Sequence, residues 1–292
     1  MSDPLDRKPT WRELLARSVP LQLPAAHDAL TARLIHLAGF DAYQVGGFAL
    51  AGARYAFPDI DLIHFYEENE AIRQIVAVSP LPVLVDAGDG FGDVKNVHRT
   101  VRGYEELHVS GLFFEDQAKP IRCGQMGKKE VVPDGEMVGK IKAALDARRN
   151  PDTFILARTD ARASHGVAEA IRRAEVYRDA GAEGVYVEGL QSARELKRVG
   201  KALAGIPLAT TMMERGGKLA WLPPDEIHSY GFSMIFYPTT VLFRVAKGIE
   251  RALADLRAGR PLSENQSTDL DEFEQVVGLH WWEMIEKKFA GR

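Results

Sequence analysis

Residues 82–92 read PVLVDAGDGFG, an apolar run of strand character leading into two carboxylates set among glycines. A short strand buried on both faces, followed by residues that permit a sharp turn, is how an α/β fold presents side chains to a ligand at the carboxyl end of its sheet. Asp86 and Asp89 sit at that end. The pattern recurs along the chain: Glu115 and Asp116 end the run GLFFED, Arg158 and Asp160 end TFILARTD, and Glu188 stands near the end of GVYVEG. One polar residue after one strand is ordinary for a solvated loop. Four strands in succession that deliver carboxylates and a guanidinium to the same end call for a shared purpose. Carboxylates gathered in a buried site need a cation, and oxygen-only ligation selects a hard divalent ion, Mg2+ first and Mn2+ as the alternative. Because Mg2+ keeps most of its waters and takes about one or two direct carboxylates, Asp86 is the expected ligand, followed by Glu115.

The single cysteine, Cys123, lies in the polar stretch 117–133 within the run IRCGQMGKK. A lone cysteine is often a small buried hydrophobe. Here Arg122 and two nearby lysines favour the thiolate and make proton transfer an available role. The stretch is long for a structureless connection in a compact domain, and such loops are commonly functional. The chain has no histidine pair at metal spacing, no GxSxG and no GKS/T phosphate loop, which argues against a serine hydrolase or a P-loop NTPase.

The elements that must position these groups alternate. Short apolar runs at 41–45, 82–86, 111–116, 153–160, 184–189, 206–211 and 234–237 read as strands, most of them separated by amphipathic helices. Helices are expected near 11–17, 25–38, 67–78, 95–109, 135–148, 167–180 and 193–204, with Leu30, Leu34 and Leu37 as the apolar stripe of the second. Seven strands in βαβ succession imply parallel pairing and right-handed crossovers. Extrapolation to eight gives a (β/α)8 barrel over 1–258, with a doubly wound open sheet as the alternative. The remainder, 259–292, reads as a helical extension: after a helix at 241–256, one further helix spans 272–289 and carries Phe273, Trp281, Trp282 and Phe289. Adjacent tryptophans on a terminal helix read as packing, on the barrel or on a neighbouring subunit.

Composition fits this picture. A 292-residue chain that is 46% hydrophobic can bury a large single core. With 37 basic and 41 acidic residues it has no basic field for nucleic acid or anionic lipid. No apolar stretch is long enough to span a bilayer, and the first residues lack the apolar segment of a signal peptide. The expectation is a cytoplasmic protein that acts on a small molecule.

The ordered set YQVGG (43–47), FPD (57–59), VDAGDGFG (85–92), FFEDQ (113–117), RCG (122–124), ARTDA (157–161), the strand ending in Glu188, and FYP followed by FR (236–244) closely resembles the isocitrate lyase and phosphoenolpyruvate mutase superfamily. Within it the chain is most similar to the 2-methylisocitrate lyase branch, over nearly its whole length. The resemblance implies a (β/α)8 barrel, Mg2+, a mobile loop carrying the cysteine, and a homotetramer with C-terminal helices exchanged between subunits. It implies Asp86 as principal metal ligand, with Asp59 and Glu115 acting through water. Gly46 and Gly47 would hold an α-keto acid carboxylate through backbone N–H groups, with Tyr43, Arg122, Gly124, Gln125, Glu188 and Thr210 as further substrate contacts. Arg158 would bind the keto oxygen side, and Cys123 would donate a proton.

Several positions depart from the pattern. Gly88 stands where the second acid of a DxD motif is expected, and Asp89 one position later could replace it, given glycines on both sides. Val45 replaces a serine, Ile121 a cation and Gln125 a histidine, and Thr210 stands for an asparagine. Fewer polar contacts imply a smaller or less charged acid than methylisocitrate, such as a substituted malate. Cleavage of a 2-hydroxy di- or tricarboxylic acid between C2 and C3 is the expected reaction, favoured by Cys123. The alternatives are a phosphoenolpyruvate mutase, phosphonopyruvate hydrolase or oxaloacetate decarboxylase type of activity, and a non-catalytic α-keto acid binder.

Overall fold

The computed structural model describes residues 8–17, 20–126, 129–261 and 266–290. Residues 8–241 form one compact unit, and the chain from Leu242 onward belongs to a second. The first unit holds eight strands: β1 (Leu21–Pro24), β2 (Tyr43–Val45), β3 (Val83–Asp86), β4 (Gly111–Glu115), β5 (Phe154–Thr159), β6 (Gly184–Val187), β7 (Leu208–Thr211) and β8 (Met234–Tyr237). All pair in parallel, in the order β1-β8-β7-β6-β5-β4-β3-β2. The free edges of β1 and β2 meet at a parallel bridge between Ala25 and Gln44, where the Ala26 N–H donates to the Gln44 carbonyl at 2.9 Å. Consecutive strands are therefore neighbours all the way round, with no reversal of order. This is the (β/α)8 barrel, and it excludes the open doubly wound sheet.

The eighth strand, absent from the sequence pattern, is the N-terminal β1. Its four residues, Leu-Gln-Leu-Pro, are too few to show periodicity, and its Pro24 argues against a strand unless the missing N–H falls at an end.

Helices α1 (Trp11–Leu15), α2 (Ala29–Leu37), α3 (Gly47–Leu50), α4 (Phe65–Val76), α5 (Val94–Glu105), α6 (Asp134–Ala147), α7 (Ala161–Asp179), α8 (Ala193–Ala202) and α9 (Pro224–Ser229) complete the first unit. Several open on side-chain caps: Asp28 accepts from the Thr31 N–H at 2.7 Å, Asp93 from Lys95 at 2.9 Å and Ser192 from Glu195 at 3.3 Å. Each satisfies a backbone donor that a helix start leaves unpaired. The stripe expected on α2 is reversed. Thr31, Ala32 and Ile35 are buried, whereas Leu30, Leu34 and Leu37 are 40%, 44% and 57% exposed.

Alternation along the strands sorts the core into layers. Leu23, Leu84, Phe113, Leu156, Tyr186, Ala209, Met234 and Phe236 point into the barrel, and Trp11 closes its base, stacked on Phe154 at 6.2 Å. Val45, Val85, Leu112, Phe114 and Ile155 face the surrounding helices on one side, and Val185, Val187, Leu208 and Ile235 do so on the other.

The second unit contains most of α10 (Thr240–Arg257), then α11 (Leu270–Val277) and α12 (Leu279–Phe289). The single helix expected over 272–289 is thus two. Gly278, with φ +75°, takes the left-handed conformation that ends α11 and starts α12. Trp281 and Trp282 pack edge to face at 4.5 Å, and Trp282 remains exposed.

Candidate active site

A cavity of about 90 Å3 opens at the carboxyl ends of the strands, the end at which barrels of this kind build their sites. Asp86 from β3, Glu115 from β4, Arg158 from β5, Tyr186 and Glu188 from β6 and its end, and Thr211 from β7 line it. Registry explains the grouping. Glu115 pairs with Arg158 and Arg158 with Tyr186, so inward-facing residues of adjacent strands stand side by side. Asp116 and Asp160 do not line the cavity. Asp116 points the other way, accepting from the Asp160 N–H, Thr159, Tyr177 and Arg173 at 2.8, 2.8, 2.7 and 3.2 Å. It anchors the outer layer.

Arg158 is the electrostatic centre. Its Nε and Nη2 donate to Asp160 at 2.9 and 3.0 Å, its Nη1 lies 3.1 Å from Glu115 and 3.9 Å from Asp86, and its guanidinium sits 5.3 Å from the centre of the Tyr186 ring. Burial works against its charge, but Asp160, Glu115 and Glu188 outweigh that and hold it protonated. Asp160 is in turn kept ionised, against burial, by Arg158 and by Lys129, whose Nζ is 2.7 Å away. The fork is thereby fixed in direction, with one arm left for the cavity.

The cavity acids are in the opposite condition. Burial pushes Asp86 up to about 6 and raises Asp59 and Glu115, with Arg158 only partly offsetting it. Such a set is short of positive charge, which a divalent cation would supply. Among the described residues, no three His, Cys, Asp or Glu side chains form a ready-made ligand cage.

The strand β2 and the helix after it supply another wall. Gly46 and Gly47 line the cavity where α3 begins, and the first N–H groups of a helix have no partner within it. Tyr43 is not part of this wall. It packs with Val45 in the outer layer, and the inward residue is Gln44. A similar shift occurs on β7, where the expected Thr210 is buried outside this cavity and Thr211 lines it, hydrogen-bonded to the Tyr186 hydroxyl. Asp89 lies outside as well. Its carboxylate accepts from the Phe91 N–H at 3.0 Å and stands 3.4 Å from Lys119 and 3.6 Å from Lys140. It is not among the residues that line the cavity beside Gly88. A Cβ at Gly88 would meet Ile121 Cδ1 at 3.1 Å, so the apolar side chain from the loop covers that position.

The loop after β4 is tied down rather than structureless. Gln117 clamps it by accepting the Arg122 N–H at 3.1 Å and donating to the Arg122 carbonyl at 2.9 Å, and an antiparallel bridge joins Gln117 to Val131. Farther along, the Cys123 N–H donates to the Asp59 carbonyl at 3.2 Å and Gln125 donates to Glu188 at 2.6 Å. Arg122, Cys123, Gly124 and Gln125 all line the cavity. Lys128, one of the two lysines expected to favour a thiolate, lies outside the described residues, and Lys129 is occupied by Asp160 and the Gly124 carbonyl. Burial therefore prevails and pushes the Cys123 thiol up to about 12, with Asp59 and Glu188 adding to it. The group is a thiol, not a thiolate.

Gly124 is required by contact: a Cβ there would overlap the Glu188 carboxylate. Gly124→Ala is expected to separate the loop from Glu188 and lower kcat/KM by about ten-fold or more, in keeping with the cost of displacing a positioned group by ~1 Å. Steady-state kinetics on a cleaved substrate would check this, and wild-type kcat/KM would show that the loop's close seat on Glu188 has no catalytic role.

Comparison with known proteins identifies the family. Residues 11–257 match the phosphoenolpyruvate phosphomutase family. The chain is 36% identical over 285 residues to 2,3-dimethylmalate lyase of Eubacterium barkeri, covering 96% of each chain. It is 39% identical over 282 residues to 2-methylisocitrate lyase of Bacillus subtilis, covering 96% of this chain and 92% of that one. Among solved structures, phosphonopyruvate hydrolase in complex with oxalate and Mg2+ superposes with a TM-score of 0.85 at 27% identity, covering 96% of this chain and 97% of the other. The chain belongs to the phosphoenolpyruvate mutase and isocitrate lyase superfamily.

Proposed function

We propose that the protein is a carbon–carbon lyase that cleaves a 2-hydroxy dicarboxylic acid of the substituted-malate class into an α-keto acid and a second carboxylic acid. The observation that carries this reading is the position of Cys123, lining the same cavity as Arg158 and the carboxylates, where burial favours its thiol form. The named activities of the two lyases to which the chain is similar support it.

Asp86 would hold Mg2+, or Mn2+ in its place, with Asp59 and Glu115 acting through its waters. When bound, the ion would stabilise negative charge on the oxygens of the keto acid portion. The α3 amides at Gly46 and Gly47 receive that portion's carboxylate. Arg158, aimed by Asp160, stabilises the oxygen at C2 as its hydroxyl proton passes to one of the carboxylates lining the cavity and the C2–C3 bond breaks. The electron pair of that bond passes to the departing fragment as an enolate-like carboxylate, and Cys123 gives its proton to C3. Ile121 and Gln125 keep water from this carbanion-like carbon while the loop is seated.

Two features favour a substituted malate over a tricarboxylate. Among the described residues, Arg122 and Arg158 are the lysine or arginine side chains that line the cavity, against six acids, and Ile63, Phe91, Phe113, Ile121, Met213 and Phe236 give it apolar walls. With the α3 amides taking one carboxylate and Arg158 the C2 oxygen, Arg122 is the guanidinium left for a second carboxylate, and the apolar walls match alkyl groups.

We take the protein to be cytoplasmic and to assemble as a homotetramer. Exposed Ile249, Leu253, Phe273 and Trp282 on α10 to α12 support assembly, and no described helix is long and apolar enough to cross a membrane. The deciding experiment is incubation with Mg2+ and a panel of alkyl-substituted malates, malate, methylisocitrate and phosphonopyruvate, following keto-acid release. Turnover of dialkyl malates at least ten-fold above methylisocitrate is expected. Release from phosphonopyruvate alone would replace the lyase reading with phosphorus–carbon chemistry.

A further inference from the structure

Among the described residues most of the acids around the cavity have a cation or a close donor beside them; Asp59 and Glu68 have no ion pair. Glu115 faces Arg158, Asp160 is held by Arg158 and Lys129, Glu188 accepts from Gln125 and Tyr186, and Asp89 lies between Lys119 and Lys140. Glu68 is different. It sits on α4, on the face that buries Ala71, Ile72 and Ile75, where an apolar residue would be the ordinary filler, and it is only 8% exposed. Its one side-chain hydrogen bond to protein among the described residues is a long one, 3.4 Å, from the Tyr104 hydroxyl to Oε2. No Lys, Arg or His stands within ion-pairing distance of it among the described residues.

Its other oxygen is aimed into the site. Glu68 lines the cavity together with Asp59, Asp86 and Glu115. A point placed as a Cβ on Gly47 would lie 3.5 Å from Glu68 Oε1 and 3.8 Å from Asp59 Oδ1, so the two carboxylates converge beside the opening of α3. A carboxylate buried to this extent without a counter-charge is costly unless a cation approaches it. Position 88 supplies no acid, and Asp89 is turned away between two lysines.

We infer that Glu68 is a member of the acid set that holds the divalent cation, acting from the α4 side through the ion's waters and supplying the negative charge that Gly88 cannot. This rests on the proposed metal-dependent reading of the site. Glu68 is a positioning residue here: it orients waters and sets the ion's place relative to Asp59 and Asp86, and it need not touch substrate.

The test is ion binding, measured without turnover. Metal-free protein would be titrated with MnCl2 by electron paramagnetic resonance of free Mn2+, and with MgCl2 by calorimetry, for wild type, Glu68→Gln and Tyr104→Phe. Glutamine keeps the volume and can still accept from Tyr104, so the melting temperature without metal should hold while affinity falls by about 10- to 100-fold. Tyr104→Phe leaves the charge in place and should stay within about three-fold of wild type. Glu68→Gln affinity equal to wild type would overturn the inference alone. An equal loss in both variants, with a lowered metal-free melting temperature, would also overturn it by assigning Glu68 to architecture. A wild type that binds neither ion would instead remove the metal-dependent reading beneath it. Should Glu68→Gln not fold, Glu68→Asp carries the test: the shortened carboxylate should weaken binding several-fold, and unchanged affinity would overturn the inference.

Discussion

Replacing Arg158 with lysine is expected to lower kcat/KM by ~10²–10³-fold, about the cost of removing one preorganised donor from a developing oxyanion. Lysine retains the charge but not the fork. The native guanidinium spends Nε and Nη2 on Asp160, at 2.9 and 3.0 Å, and this leaves Nη1 near Glu115 and the cavity. An ammonium group can satisfy Asp160 or reach the site, without the planar geometry that does both. Arg158→Met should also cost stability, about 3–5 kcal/mol, because it strands buried carboxylates that now share one counter-charge. Lys129, 2.7 Å from Asp160, remains to soften the loss there; Glu115 has no such substitute among its ion pairs in the described residues. Steady-state kinetics and thermal unfolding separate the two effects. An Arg158→Lys enzyme with undiminished kcat/KM on a substrate the wild type cleaves would remove Arg158 from the charge-stabilising role.

What was legible in the sequence follows from how many residues carried each signal. Strands β3 to β8 are apolar runs ending in polar groups, and four or more residues of pattern suffice to place them; β1, four residues ending in proline, left no such trace. Which side of a strand faces the cavity was harder. Three residues in β2 offer too little alternation to choose between Tyr43 and Gln44, and two adjacent threonines in β7 are chemically equivalent until the pleat is known. Asp86, Glu115 and Arg158 were identifiable because each is a polar end to an apolar run. Glu68 gave no comparable signal. It lies in a helix start with Glu67, where acids are favoured by the helix dipole, and only the tertiary fold shows that it is turned inward. Asp89 shows the opposite case: Lys140, on α6 and remote in sequence, pairs with it outside the cavity lining. The thiolate expected of Cys123 was read from local charge, and burial by the folded loop outweighs that charge.

Cys123→Ser should lower kcat by ~10²–10⁴-fold, the usual worth of a positioned general acid, while leaving keto-acid binding within a few-fold of wild type. The reasoning turns on the protonation state. A thiol loses its proton above its pKa, and burial has moved that point to about 12, so the acid form persists across the whole neutral range. Loss of the donor proton therefore cannot produce an alkaline fall in kcat near pH 8 or 9; a fall in that range would have to come from another group. Because Cys123 is the only cysteine, the combined effect of its ionisation and its burial can be read by alkylation, and the pH dependence of the rate isolates the ionisation. At pH 8 a free thiol is about one quarter thiolate, whereas a group at about 12 is ~10⁻⁴ thiolate, so iodoacetamide should modify the folded protein far more slowly than it modifies a free cysteine. Serine fits the same space and has a hydroxyl far less acidic than the thiol, so it fails as an acid without disturbing the loop bond from the residue 123 N–H to Asp59. Undiminished turnover in Cys123→Ser would show that the proton reaches C3 by another route. Fast alkylation at pH 8 would show instead that the loop leaves its seat often enough for solvent to set the thiol's chemistry, and the water-excluding role of Ile121 and Gln125 would fall with it.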